Sequence, residues 1–98
     1  MSEMTTTGTW RPRPGQDAEF VSAWTEFAHW AATMPGASTL RLGRDVVEVG
    51  RYVSYGTWTD GASVHDWKST PEFRERMAKV LQHVDDFRPA ELDVVATS

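Results

Sequence analysis

The chain has 98 residues, with 10 Lys+Arg against 14 Asp+Glu, a net charge of −4, no cysteine and 5 tryptophans. That length holds one domain burying roughly 60–65% of its unfolded surface, and the acidic balance, with no basic run longer than Arg11-Pro12-Arg13, argues against nucleic-acid binding. The lack of cysteine removes disulfides and thiolate metal sites and points to a reducing compartment. No apolar run nears the roughly 18 residues of a membrane span, and MSEMTTTG lacks the regions of a signal peptide, so a cytoplasmic protein is expected.

Residues 4–10, MTTTGTW, are β-branched and end in an aromatic, which predicts a first strand closed by the turn Arg11-Pro12-Arg13-Pro14-Gly15. From Asp17 the period becomes helical. Phe20, Trp24, Phe27, Ala31 and Met34 fall in one stripe, and His29 lies on the polar side with Ser22, Thr25 and Glu26. Pro35-Gly36 ends this helix. Residues 37–43, ASTLRLG, alternate as a second strand, with Arg44-Asp45 and Val46, Val47 and Val49 extending it or forming a hairpin arm up to Gly50.

A third strand runs from Arg51 to Trp58, with Arg51, Val53, Tyr55 and Thr57 on one face and Tyr52, Ser54, Gly56 and Trp58 on the other. Asp60 or Ser63 is suited to cap a short helix through Trp67. Thr70-Pro71 with Glu72 is a strong start for the next one. That helix continues the stripe through Phe73, Met77, Val80, Val84 and Phe87 until Arg88-Pro89, with His83 on its flank about 80° from the centre. Residues 91–96, ELDVVA, form a fourth strand. No linker or repeat divides residues 1–98, so they form a single domain.

The order is β-α-β-β-α-β, an α+β, ferredoxin-like unit with a four-stranded antiparallel sheet and its helices on one face. Apolar groups on the uncovered face imply a homodimer through the sheet faces.

The run Arg51-Tyr52-Val53, then Trp58, then Trp67-Lys68-Ser69-Thr70-Pro71-Glu72-Phe73, resembles the third strand and following helix of antibiotic-biosynthesis monooxygenase (ABM) domains. The amphipathic helix before Pro35-Gly36 fits the same resemblance. It implies a dimeric α+β barrel, in a family that includes oxygenases using no metal or flavin, haem degraders and domains of unknown activity. Trp67 matches a position lining the pocket between helices and sheet. The haem degraders also carry a ligating His where this chain has Met77, and an Asn on the first strand near Gly8; both departures argue against haem binding or degradation.

The resemblance thus implies a cofactor-independent monooxygenase acting on a hydrophobic phenol, hydroquinone or polyketide-like molecule. Such chemistry needs a dry aromatic cavity, a base or acceptor for the phenol, and a donor for the developing anion. The candidates are Trp67 with its N–H as donor, His65 or His83 as base, and Trp58, Tyr55, Arg51, Trp24, Phe27, Phe73 and Met77 against the substrate. Each has a structural alternative: the tryptophans as core, the histidines and Arg51 as solvated surface. If those hold, the domain is a non-catalytic binding or interaction module. The three histidines lack metal-ligand spacing, and no G-x-S-x-G, G-x-G-x-x-G or P-loop is present.

Overall fold

A computed structural model, which describes residues 3–98, orders the chain as β1 (Met4–Pro12), α1 (Asp17–Ala31), β2 (Ala37–Arg44), β3 (Tyr52–Trp58), α2 (Gly61–Lys68), α3 (Pro71–Leu81) and β4 (Val84–Asp93). The strands form one antiparallel sheet in the order β2-β3-β1-β4. This is the expected ferredoxin-like arrangement, with α2 as a short helix inserted ahead of α3.

Alternation along the strands sorts the two sheet faces. Thr6, Gly8 and Trp10 of β1, and Tyr52, Gly56 and Trp58 of β3, are buried beneath the helices. Thr5, Thr7 and Thr9, with Val53, Tyr55 and Thr57, point the other way. The molecule is only 18 Å through its shortest axis, the depth of one helical layer on one sheet. Among the described residues nothing covers the second face, where Tyr55 is 47% and Leu92 49% exposed.

The helix-1 stripe packs as its spacing predicts. Phe20, Trp24, Phe27 and Ala31 are buried and His29 is exposed. Phe20 meets Trp10 at 5.4 Å and Tyr52 at 5.2 Å between ring centroids, which seats α1 on β1 and β3. Both later helices have the expected caps. The Asp60 carboxylate accepts from the Ser63 N–H at 2.9 Å, and the Thr70 hydroxyl accepts from the Phe73 N–H at 3.1 Å with Pro71 in the first turn.

The last third of the chain departs from the expectation. Helix α3 stops at Leu81, and Val84 and Phe87 belong to β4, opposite Pro12 and Trp10. The register shifts between Arg11, paired with Asp86, and Pro12, paired with Val84, so Asp85 is an extra residue in a β-bulge. One inserted residue puts positions three apart on the same strand face, which reproduces the helical spacing from Val80 to Val84 to Phe87. Pro89 does not end a helix. It sits in β4, an edge strand, where a missing N–H is tolerated.

The segment between β2 and β3 is a hairpin loop rather than strand. Asp45 accepts from the Val47 and Glu48 N–H groups at 2.8 and 2.9 Å and pairs with Arg51 at 2.8 Å, leaving Val46, Val47 and Val49 exposed. The Val47 N–H, then the Arg51 guanidinium, hold the Asp45 carboxyl below its ordinary value, and the Ser63 N–H does the same for Asp60. A carboxyl lowered by folding stabilises the fold above its unfolded value, and this contribution disappears as pH falls through the lowered one. We therefore expect acid unfolding below about pH 4 to be less steep in the Asp45→Asn/Asp60→Asn variant than in the wild type, as followed by circular dichroism. Identical slopes would remove these two carboxylates from the account.

Candidate functional site

Trp58 closes the end of β3 and Trp67 lies on α2, which folds back over it. Their rings stack at 4.5 Å with an interplanar angle of 27°. Phe73, from the first turn of α3, meets Trp67 edge-on at 4.9 Å and 88°, and Phe27 from α1 reaches both Trp67 and Phe73 at 5.8 Å. Four elements thus converge on one aromatic cluster. The Thr70 hydroxyl helps to set its geometry: it donates to the Trp67 carbonyl at 2.9 Å while accepting from the Phe73 N–H, joining the end of α2 to the start of α3.

Three of the four core indoles, Trp10, Trp58 and Trp67, differ in one respect. Trp58 donates to the Thr6 hydroxyl at 3.1 Å and Trp10 to the Ser54 hydroxyl at 2.9 Å. Trp67 Nε1 is buried and, among the described residues, has no partner. An unpaired N–H in such surroundings costs the full loss of its hydration, a cost that Trp10 and Trp58 avoid. No motif marks Thr6 or Ser54 in the sequence; their signal is a small hydroxyl on the helix-facing side of a strand that neighbours a tryptophan's strand.

The cluster gathers Trp67, Trp58, Phe27 and Phe73, and Met77 packs beside the core one turn further along α3. Trp24 is buried at another place, over the gap between α1 and β2 beside Leu42 and Tyr52. Tyr52 is anchored there by donating to Asp17 at 2.8 Å. The other residues lie apart from the cluster. Tyr55 is on the open face of the sheet, across the strand from Trp58's side. Arg51 sits beyond the opposite end of β3, drawn into the hairpin loop by Asp45. The His65 side chain is exposed on α2. His83 lies in a shallow groove between α1 and α3, its Nδ1 2.9 Å from Gln16 Oε1, with Glu19, Glu26 and Lys79 nearby.

A second groove, about 520 Å³, adjoins the cluster through Phe73. Its apolar floor is Phe73, Met77 and Leu81, and Lys68 and Arg74 stand at its rim. Lys68 reaches Glu91 on β4 at 2.8 Å. Only the packing of α3 against its neighbours brings these two cations to the same groove.

The first strand does not accommodate the haem degraders' Asn at Gly8. A Cβ on Gly8 would come within 2.8 Å of Phe87 Cε1 and Trp10 Nε1 and 2.9 Å of Ser54 Oγ, so a side chain the size of Asn has no room there. Among the described residues no group of three His, Asp or Glu side chains forms a metal site, and no helix is long and apolar enough to cross a membrane.

Residues 4–79 match the antibiotic biosynthesis monooxygenase family, and the chain belongs to it. No curated protein matches the chain in sequence. Among solved structures, SnoaB, a cofactor-independent oxygenase from Streptomyces nogalater, is similar at 22% identity over 99% of this chain and 97% of its own, with a TM-score of 0.88. A candidate antibiotic biosynthesis monooxygenase from Caulobacter crescentus is similar at 21% identity, over 97% and 92%, with a TM-score of 0.84. A conserved protein from Methanosarcina mazei shares the fold at 12% identity, over 94% and 92%, with a TM-score of 0.83. At these identities the structures establish the shared fold.

The different states of the two stacked indoles have a measurable consequence. Both Trp58→Phe and Trp67→Phe lose apolar contact, but the first also strands the buried Thr6 hydroxyl, whereas the second removes an N–H that was already unpaired. Trp58→Phe is expected to cost about 1–3 kcal/mol more in urea unfolding than Trp67→Phe. Equal costs, or the reverse order, would contradict the hydrogen-bond assignment.

Proposed function

We propose that this member of the antibiotic biosynthesis monooxygenase family oxygenates a hydrophobic hydroxyaromatic molecule without a cofactor. The observation carrying the reading is the buried, unpartnered Trp67 N–H within an aromatic cluster. In such a reaction the ionised substrate passes one electron to dioxygen, and the two radicals join at a ring carbon. Cleavage of the resulting O–O bond then releases water and leaves a carbonyl, so an anthrone becomes a quinone at the expense of one dioxygen. The protein's share is to exclude water and stabilise negative charge on oxygen. Trp67 Nε1 is the donor for the substrate oxyanion or the developing peroxide. Phe27, Trp58 and Phe73 supply the dry surroundings.

No imidazole belongs to this cluster. The reading therefore favours a substrate acidic enough to ionise in water, with His65 and His83 as candidate bases only for substrates that reach α2's outer surface or the α1–α3 groove. The rival reading, a binding or interaction domain, draws on the close packing of Trp58 and Trp67, which are 1% and 4% exposed. Oxygen uptake with a panel of anthrones and hydroquinones separates the two. We expect turnover that falls at least tenfold in Trp67→Phe, the scale of one lost donor to a developing charge, and that persists in His65→Ala. No uptake with any substrate, or uptake indifferent to Trp67→Phe, would contradict the reading.

We further propose that the open sheet face is covered by a second copy. Register aligns Tyr55, Thr7 and Ala90 in one row and Thr57, Thr5 and Leu92 in the next, which puts an exposed Tyr55 on an inner strand and an exposed Leu92 on the edge strand of the same face. Light scattering at micromolar concentration is expected to give a dimer for the wild type and a monomer for Tyr55→Glu. A monomeric wild type would refute the assembly.

A further inference from the structure

The groove beside Phe73 has an unusual balance of charge for this protein. The chain as a whole is acidic, at −4, yet no carboxylate lines this groove and two cations do, Lys68 and Arg74. Its other polar side chains are already engaged. The Ser69 hydroxyl donates to the His65 carbonyl at 2.7 Å, the Thr70 hydroxyl donates to the Trp67 carbonyl, and Lys68 is paired with Glu91. Among the described residues Arg74 has neither an ion pair nor a side-chain hydrogen bond. The groove therefore offers one uncommitted polar group, a guanidinium, above an apolar floor of Phe73, Met77 and Leu81.

Helical spacing places these groups together. Arg74, Met77 and Leu81 follow one another at intervals of three and four residues, along one side of α3. A ligand lying along the helix on Met77 and Leu81 thus brings one end to Arg74 and its ring edge to Phe73, the residue that also touches Trp67. The volume of about 520 Å³ suits a fused aromatic ring system.

We infer that this groove selects aromatic acids: planar apolar molecules carrying one carboxylate, which the Arg74 guanidinium pairs with. The planar fork of Arg donates two parallel hydrogen bonds to a carboxylate, a geometry that Lys does not offer. Arg74 acts as a specificity-determining residue and takes no part in the oxygen chemistry. The inference rests on the reading that the Phe73–Trp67 region receives the substrate, and it specifies what that substrate carries.

Calorimetric titration with anthracene-2-carboxylate and with 2-(hydroxymethyl)anthracene, which share the ring system and differ in charge, tests it. The wild type is expected to bind the carboxylate roughly tenfold more tightly, the scale of one charge-assisted contact, with the preference shrinking as salt rises. Arg74→Gln should bind the two alike, at the affinity of the neutral ligand, whereas Lys79→Gln, in the other groove, should keep the wild-type preference. Equal affinities in the wild type, or a preference that survives Arg74→Gln, would overturn the inference while leaving the oxygenase reading intact. Binding of neither ligand would overturn both the inference and the placement of the substrate beside Phe73.

Discussion

The stacking of Trp67 on Trp58 is the contact on which the arrangement of this domain depends. Trp58 ends β3, and the chain turns at once into α2, so the second indole returns over the first within nine residues. This fixes where α2 ends, and through the shared Thr70 hydroxyl it fixes where α3 begins. Phe73 then meets Trp67 edge-on, and Phe27 locks α1 against both. A large aromatic area is buried at little rotamer cost. In a chain of this size, with a small core, that is a main source of cohesion between helices and sheet.

Polar satisfaction differs across this core. Trp10 and Trp58 direct their N–H groups at hydroxyls on neighbouring strands, Ser54 and Thr6, which ties them to the sheet. Trp67 rides on a helix and finds no such partner. The difference follows from its location: strand neighbours present side chains at regular spacing, while α2 is eight residues long and its nearby hydroxyls, Ser69 and Thr70, are spent on backbone carbonyls. The same commitment of hydroxyls leaves Arg74 as the uncommitted polar group of the adjoining groove. One feature of local chemistry, the capping of α2 and α3, thereby shapes both the cluster and the groove beside it.

Much of this was legible in the sequence. The α1 stripe, the Thr70-Pro71 start and the faces of β3 follow from periodicity and capping, which act over a few residues. The pairing of Trp58 with Trp67 was legible too, because a strand end and the helix that follows it are close by necessity. What escaped was set at longer range. The bulge at Asp85 disguised the start of β4 as more helix, since its three-residue spacing coincides with a helical one. The pairing of Arg51 with Asp45 depends on the hairpin's closure, and the placement of Tyr55 away from the cluster follows from which face the helices choose. Nothing in the sequence brings Lys68 and Arg74 together, because single charges on helices usually face water.

The proposal with most at stake is that the Trp67 N–H donates to a ligand's oxygen. The most direct measurement is the indole ¹H–¹⁵N spectrum of the 15N-labelled protein, with Trp67 assigned through Trp67→Phe. The account predicts that the Trp67 indole proton resonates upfield of those of Trp10 and Trp58, as an N–H without an acceptor should, and moves downfield on saturation with an ionised anthrone under anaerobic conditions. A Trp67 proton already downfield in the free protein, or one unmoved at saturation, would contradict it.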